Sequence, residues 1–273
     1  MRRRPSVSSG SVAALLAVVA LASCAVAAFE SPWPDARCAG LAAFGPVADL
    51  RDAGGRVGPV WSARLSASEL FGLEEARGFR AYVERGGDSS VGVELARFGS
   101  ALYEERTVGL RVSKLVDDGT RAILRVRALG LAASGTDGEW TAAVDAGLSA
   151  TLLGRMAFEC RWDNLGRASI GGSPVSSTGR LSARVESDRL AVVASALLEP
   201  GLGSSVSLGL EFDVAAGLAL RAGTATRPRL FAAGLGVAVP ARPPGAGAFV
   251  LDLAWQWHPE LGGSSFASLS VFR

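Results

Sequence analysis

The sequence is poor in several residue types that build enzyme sites and nucleic-acid surfaces. Its 273 residues include 28 Lys and Arg and 26 Asp and Glu, but Lys114 is the only lysine and His258 the only histidine. No basic block with interleaved aromatic residues occurs, which argues against nucleic acid as a partner. The one histidine and three dispersed cysteines lack the spacing of a metal site. The composition therefore predicts no metal and no other cofactor.

Long hydrophobic runs are also missing after the N-terminus. The hydrophobic content is 49% and the mean hydropathy is +0.29, yet no apolar run long enough for a membrane helix exists after the N-terminus. A chain that is apolar overall but never continuously apolar is typical of transmembrane β-strands, whose lipid-facing and lumen-facing side chains alternate.

The last stretch of the chain shows this alternation most clearly. Phe249, Leu251, Leu253 and two tryptophans share one face of a strand, while Asp252 and Gln256 share the other. A short loop follows, and residues 265–273 form a second strand that ends at the C-terminus. Two tryptophans at one end of an apolar face favour a membrane interface.

The same period of two, broken by turn residues, recurs along the chain. It predicts an all-β fold, a transmembrane antiparallel β-barrel of about 14 strands with an N-terminal signal peptide. Closure requires the last strand to pair with the first, because an unpaired edge is not stable in hydrocarbon. The predicted strands are 57–67, 76–85, 89–98, 105–115, 120–131, 139–151, 155–162, 177–187, 189–198, 204–214, 217–226, 229–239, 249–257 and 265–273.

The N-terminus has the pattern of an export signal, a basic Arg2–Arg4 group followed by the apolar residues 12–22. Ordinary cleavage between Ala27 and Phe29 is favoured by the small residues there. The alternative is a lipoprotein site, since Leu21-Ala22-Ser23-Cys24 would place an acylated Cys24 first. The domains are then a signal peptide at 1–28, an N-terminal periplasmic or luminal segment at 29–56, and an outer-membrane barrel at 57–273.

Most charged residues of the predicted strands fall opposite the apolar side chains. An arginine facing lipid at the bilayer midplane costs about 2–4 kcal/mol, so we expect these charges inside the barrel, paired with one another across a partly filled lumen. The residues predicted to line the lumen are Glu94, Arg111, Arg121, Arg125, Arg127, Arg161, Glu211, Arg221 and Asp252.

No catalytic residue is predicted. His258 lies close to Ser264, but it belongs to a His-Pro loop, and the sequence has no Gly-x-Ser-x-Gly element. The protein is therefore not expected to be an enzyme. Cys160 shares the outward face of Phe158 and Trp162, which argues against a disulfide bond with Cys38.

The chain resembles the PorV/PorQ-like branch of the FadL-type outer-membrane proteins. The likeness is clearest near the C-terminus, in Leu220-Arg221-Ala222-Gly223-Thr224, Asp252-Leu253-Ala254-Trp255 and His258-Pro259-Glu260-Leu261-Gly262. Near the start, Ala36-Arg37 and Gly40-Leu41 are similar to the N-terminal segment of that family. The family's Asn-Pro-Ala-Gly element is missing.

The resemblance implies an outer-membrane barrel that passes small hydrophobic molecules or serves as an outer-membrane component of a protein export or attachment system. The implied partners are outer-membrane lipid, the barrel-assembly machinery, and small hydrophobic cargo or secretion-system components. The alternative is an exported β-sandwich or lipoprotein with a structural or binding role. A barrel would be located in the outer membrane of a Gram-negative envelope.

Overall fold

The computed structural model describes residues 35–44, 61–117, 119–152, 155–200, 203–240 and 247–273. The predicted signal peptide, both processing sites and residues 57–60 of the first predicted strand lie outside this range. The proposed domain boundaries therefore stay predictions.

Fourteen strands form one closed antiparallel barrel, which confirms the predicted fold. Strands that follow one another along the chain are hydrogen-bonded neighbours, with β7 next to β10 and β16 next to β1. The barrel strands are β1 Trp61–Glu69, β2 Arg77–Arg85, β3 Ser89–Gly99, β4 Tyr103–Leu115, β5 Thr120–Ala133, β6 Glu139–Leu152, β7 Met156–Asp163, β10 Thr178–Glu186, β11 Leu190–Glu199, β12 Gly203–Ala215, β13 Leu218–Thr226, β14 Arg229–Pro240, β15 Ala248–His258 and β16 Gly262–Phe272.

Among the described residues, four short elements lie outside the barrel wall. Helix α1 spans Ala36–Gly40, a single 3-10 turn spans Glu74–Ala76, and β8 Ser169–Ile170 pairs with β9 Ser173–Pro174 in the connection between β7 and β10. Within the part of the chain that is described, no helix is both long and apolar enough to cross a membrane.

The barrel closes between its first and last strands, as predicted. Leu65 of β1 pairs with Leu269 of β16, and the N–H of Trp61 donates to the carbonyl of Arg273 over 3.1 Å. The N–H of Arg273 donates back to the carbonyl of Trp61 over 3.0 Å. The alternative of a β-sandwich is therefore wrong, because a sandwich leaves open sheet edges whereas here every barrel strand has two partners.

Side chains alternate between the two faces of the wall as the sequence predicts. Leu208 and Leu253 are 50% and 45% exposed on the outer face, whereas Ser207 and Asp252 are buried on the inner one. Cys160 is exposed on the outer face, and Cys38 is buried inside. A closed barrel with an apolar outer surface suits a bilayer, and the protein is an outer-membrane β-barrel.

The two ends of the barrel differ. Both barrel termini lie at the end that carries tight turns such as 86–88 and 187–189, and the longer connections 70–76 and 164–177 lie at the opposite end. In outer-membrane barrels the short turns are periplasmic and the long loops are extracellular. Near the extracellular end, Arg77, Arg97, Glu104 and Arg106 face outward, so the sorting of charges into the lumen is incomplete there.

Candidate functional site

The lumen contains the chain segment 35–44, which we call the N-terminal segment. Asp35 caps helix α1, because its carboxylate accepts the N–H of Cys38 over 2.8 Å. The helix is short and rests on β13, β14, β15 and β16. All of the segment except Arg37 is almost completely buried. It therefore occupies the part of the lumen next to these strands.

Two ion pairs tie the N-terminal segment to the barrel wall. The Arg37 guanidinium donates from Nε and Nη2 to the two carboxylate oxygens of Glu211, at 2.9 and 2.7 Å. Arg64 of β1 donates to Asp35 over 2.5 Å. Glu211 is shared, since Arg184 and Arg221 also donate to it, at 3.2 and 2.6 Å. One carboxylate thus collects three guanidinium groups, one of them from the segment.

The charges of the segment are stabilised by these partners. Burial alone would raise the pKa of Asp35, but the Arg64 guanidinium and the N–H of Cys38 lower that pKa below its ordinary value. Burial alone would lower the pKa of Arg37, and the Glu211 carboxylate raises it above its ordinary value instead. Both groups therefore stay charged near neutral pH.

The backbone of the segment also lies in close contact with the wall. The carbonyl group of Leu41 lies so near Gly209 and Gly223 that a Cβ atom at either position would collide with it. Gln256 donates from Nε2 to the carbonyl of Ala39 over 2.9 Å. A side chain at either glycine would push the segment away from the wall, so this part of the wall is shaped to receive it.

The N-terminal segment also packs on the wall through its apolar side chains. Phe44 and Ala42 pack against Leu197, Ala225 and Leu230 of β11, β13 and β14. Ala36 and Ala39 pack against Ala254 and Phe266. The segment therefore meets the wall through apolar contacts as well as through the ion pairs.

The opposite wall carries a network of ion pairs. Glu94 pairs with Arg80 at 3.0 Å and with Arg125 at 2.5 Å. Arg125 continues to Asp145, which Arg127 also contacts at 2.6 Å. Charge-paired side chains of both signs line this wall, and the network spans β2 to β6.

The structure places all the residues predicted to line the lumen on the inner face, but in separate groups. Glu94, Arg125 and Arg127 belong to the network just described, whereas Arg161 pairs with Asp163 at 3.0 Å. The others lie apart: Arg111 is 3.6 Å from Glu84, Arg121 donates to the carbonyl of Gly87 near the periplasmic end, and Arg221 joins Glu211 to Asp252.

The long extracellular connection turns toward the lumen. Ile170 and Val175 pack on Leu129 and Ala143 of the inner wall. Asn164 is completely buried and holds the connection, with its side chain donating to the carbonyl of Val175 and accepting the N–H of Ala168, both at 2.8 Å. The main chain of Asn164 is itself bound to the wall, because its N–H donates to Asp145 over 2.9 Å.

Sequence reasoning did not identify Asp35, Arg37 or Asn164 as functional residues. Asp35 followed by small residues is a helix N-cap signal, and Ala36-Arg37 belongs to the segment that resembles the FadL-type N-terminus, so a luminal helix could have been inferred. Asn164 gives no comparable signal, because its partners are fixed only once the connection folds.

His258 has a structural role in its loop. Its Nδ1 atom accepts the N–H groups of Glu260 and Leu261, both at 3.1 Å. Ser264 accepts the N–H of Phe71 instead of meeting the histidine. In the described residues, no group of three or more His, Cys, Asp and Glu side chains is arranged to hold a metal ion.

No protein-family profile matches the sequence, and no curated protein sequence matches it either. Solved structures do match. The toluene transporter TbuX of Ralstonia pickettii has a TM-score of 0.54 at 11% identity, covering 89% of this chain and 98% of its own. A FadL homologue of Pseudomonas aeruginosa has a TM-score of 0.53 at 11% identity, covering 87% and 97%.

Omp33 of Acinetobacter baumannii, an outer membrane protein, has a TM-score of 0.52 at 10% identity, covering 79% of this chain and 98% of its own. At such identities the likeness concerns the fold alone. The chain has the fold of a FadL-type outer-membrane barrel.

Proposed function

We propose that this protein is an outer-membrane channel for small hydrophobic molecules. The observation that carries the proposal is the N-terminal segment, which fills part of the lumen and presents Phe44 to an apolar wall of Leu197, Ala225 and Leu230. A wide water-filled pore needs neither a filled lumen nor an apolar inner surface. The fold shared with the toluene transporter TbuX supports the same conclusion.

The position of the segment indicates how passage would be controlled. A hydrophobic solute that entered from the extracellular end would pass the connection between β7 and β10 and then reach Phe44, which is buried against the apolar wall. It would then have to displace the segment or pass between the segment and the wall. The ion pairs at Asp35 and Arg37 hold the segment from its periplasmic side, so they contribute to the free energy that displacement costs.

A cavity connects this anchor to the periplasmic side. It has a volume of ≈ 440 Å³ and is lined by Arg37, Arg189, Asp213 and Arg221, next to the turn between β12 and β13. Water can therefore reach Arg37 from the periplasm. Displacement of the segment would open the lumen into this cavity.

A second candidate is a component of a protein export or attachment system, as in the PorV-like branch. The sequence resemblance around Asp252-Leu253-Ala254-Trp255 and His258-Pro259 favours it. In that case the segment would remain in place and the barrel would act as a docking platform.

An uptake assay separates the two functions. Cells whose outer membrane contains the barrel should accumulate labelled toluene faster than cells that lack it, while uptake of a sugar of similar size should not change. Phe44→Arg should slow toluene uptake, because a charge would replace the apolar contact. Equal uptake with and without the barrel would contradict the channel, and stable co-purification with export components would then favour the second candidate.

A further inference from the structure

Two arginines of the outer surface lie directly opposite each other on neighbouring strands. Arg97 of β3 and Arg106 of β4 are partners in the register, and both point outward. Their side chains are 60% and 57% exposed. Adjacent like charges in a sheet repel each other, so this arrangement is costly unless a negative group lies between them.

The protein supplies only part of that negative charge. Glu104 pairs with Arg97 at 2.7 Å and also with Arg106. Of the described residues, it is the one carboxylate ion-paired with either arginine. The group of three keeps one net positive charge on a surface that faces lipid and the membrane boundary. Each guanidinium has five N–H donors, so both can bind a further anion.

A nearby group of one arginine and two carboxylates has an excess of negative charge. Arg77 lies on the same rim and pairs with two carboxylates, Glu69 at 2.9 Å and Glu74 at 3.4 Å. Its positive charge is therefore already compensated by the protein. The excess positive charge at Arg97 and Arg106 is thus a local feature and not a property of the whole rim.

An apolar depression adjoins the two arginines. It has a volume of ≈ 650 Å³, is almost entirely apolar, and is lined by both arginines together with the small side chains of Ala67, Ala81 and Ala267. Larger apolar side chains border it, including Phe79 and Trp140. The small residues leave a shallow apolar recess in the lipid-facing wall.

The surface thus joins a phosphate-sized cationic site to an apolar recess. We propose that Arg97 and Arg106 bind the phosphate of lipopolysaccharide, the phosphorylated glycolipid of the outer leaflet, and that one or more of its acyl chains occupy the recess. Arginine suits this role because its planar group binds phosphate oxygens with two parallel hydrogen bonds. The location fits, since both residues lie near the extracellular end of the barrel.

The test is lipid binding by the purified, folded barrel in detergent. Native mass spectrometry would measure the binding of lipid A and of lipid A with its phosphates removed. We expect the wild-type barrel to bind the phosphorylated form at least about tenfold more tightly, which corresponds to about 1.4 kcal/mol. Comparable affinity for the two forms would overturn the proposal, and this measurement needs no variant.

Variants locate the site. The double substitution Arg97→Gln and Arg106→Gln should reduce binding of phosphorylated lipid A at least about tenfold, whereas Arg77→Gln should leave it unchanged. The double substitution to lysine keeps the charge but loses the planar geometry, and it should give an intermediate affinity. Unchanged binding by the double glutamine variant, or an equal loss in Arg77→Gln, would overturn the assignment.

Discussion

The guanidinium of Arg37 and the carboxylate of Glu211 form a bidentate ion pair inside the barrel, at 2.7 and 2.9 Å. Arg37 belongs to the segment inside the barrel and Glu211 to strand β12 of the wall. Glu211 is fully buried and also receives Arg184 and Arg221. The position of the segment therefore depends on a charged side chain of the wall. Because Arg37 lies outside the strands, its contribution can be tested without a change in the wall.

Arg37→Ala should loosen the N-terminal segment and leave the barrel folded. Glu211 keeps two arginine partners, so we expect a loss of about 1–3 kcal/mol in the seating of the segment. Ion conductance across a planar bilayer should then rise, while heat-modifiable mobility on gels stays normal. Arg155→Ala is the control, because Arg155 is exposed and lies 3.9 Å from an exposed Asp188. Equal conductance in all three proteins would show that Arg37 does not hold the segment.

The ion pair between Asp35 and Arg64 should make the seating of the segment depend on pH. The pKa of Asp35 in the folded protein lies below its ordinary value, so the carboxylate stabilises the seated segment above about pH 4. That contribution is lost as the pH falls through the lowered pKa. Conductance should therefore remain low at pH 5 and rise in stronger acid.

Asp35→Asn isolates this contribution from that of other groups near the pair, including Arg37 and Asp252. The variant should show raised conductance already at pH 7 and a smaller change between pH 5 and pH 3 than the wild type. An identical pH profile in the two proteins would assign the acid response to another group.

Substitutions on the two faces of β12 should fail in different ways. Leu208→Arg places a charge against lipid, at a cost of about 2–4 kcal/mol near the midplane, and should reduce the folded fraction in the membrane. Ser207→Arg places the charge on the lumen side instead, where the new side chain avoids the cost of facing lipid. In the structure Ser207 is only 2% exposed, so the new side chain should disturb the packing inside the barrel instead.

Heat-modifiable mobility and conductance together distinguish these outcomes. Leu208→Arg should lower the folded fraction, while Ser207→Arg should assemble but conduct more. Leu208→Ile is the control and should match the wild type. Assembly defects of equal size in both arginine variants would contradict the face assignment.

The closing pair of strands can be tested by crosslinking. Leu65 and Leu269 are opposite each other in β1 and β16, so cysteines at these positions should form a disulfide in the folded barrel. Cys38 and Cys160, and Cys24 where the mature chain keeps it, must first be replaced by serine or alanine. Pairing Leu65→Cys with Val271→Cys shifts the register by two residues and should crosslink less. Preferential crosslinking of the shifted pair would mean that the seam has another register.

Much of the wall could be predicted from the sequence because each strand carries its own signal. The alternation of residues 249–257 is local, and it gives both the strand and the face of Asp252. The partners of Asp252 and Glu94 could not be predicted, because ion pairing depends on the register between strands. The sequence predicts a periplasmic or luminal segment at 29–56, but not how residues 35–44 bind the wall, because they have no regular period and Arg37 meets Glu211 across 174 positions.

The outward pair Arg97 and Arg106 shows the opposite limitation. Alternation alone places both on the lipid face, where the rule that charges face the lumen fails. The rule rests on the cost of charge at the bilayer midplane, and that cost falls to about 0–1 kcal/mol near the interfaces. The position of a residue along its strand therefore matters as much as the face it occupies.

The seam between β1 and β16 also makes the order of folding events matter for the maturing chain. Residues 35–44 precede β1, yet they end inside the ring that β16 completes. If the seam forms first, the segment must thread through a mouth of the finished ring, and failure to do so leaves a hollow isomer with the same strands. A chain that positions Arg37 on Glu211 before its last hairpin docks avoids this trap. The final hydrogen bonds of the wall then enclose the protein's own N-terminal residues.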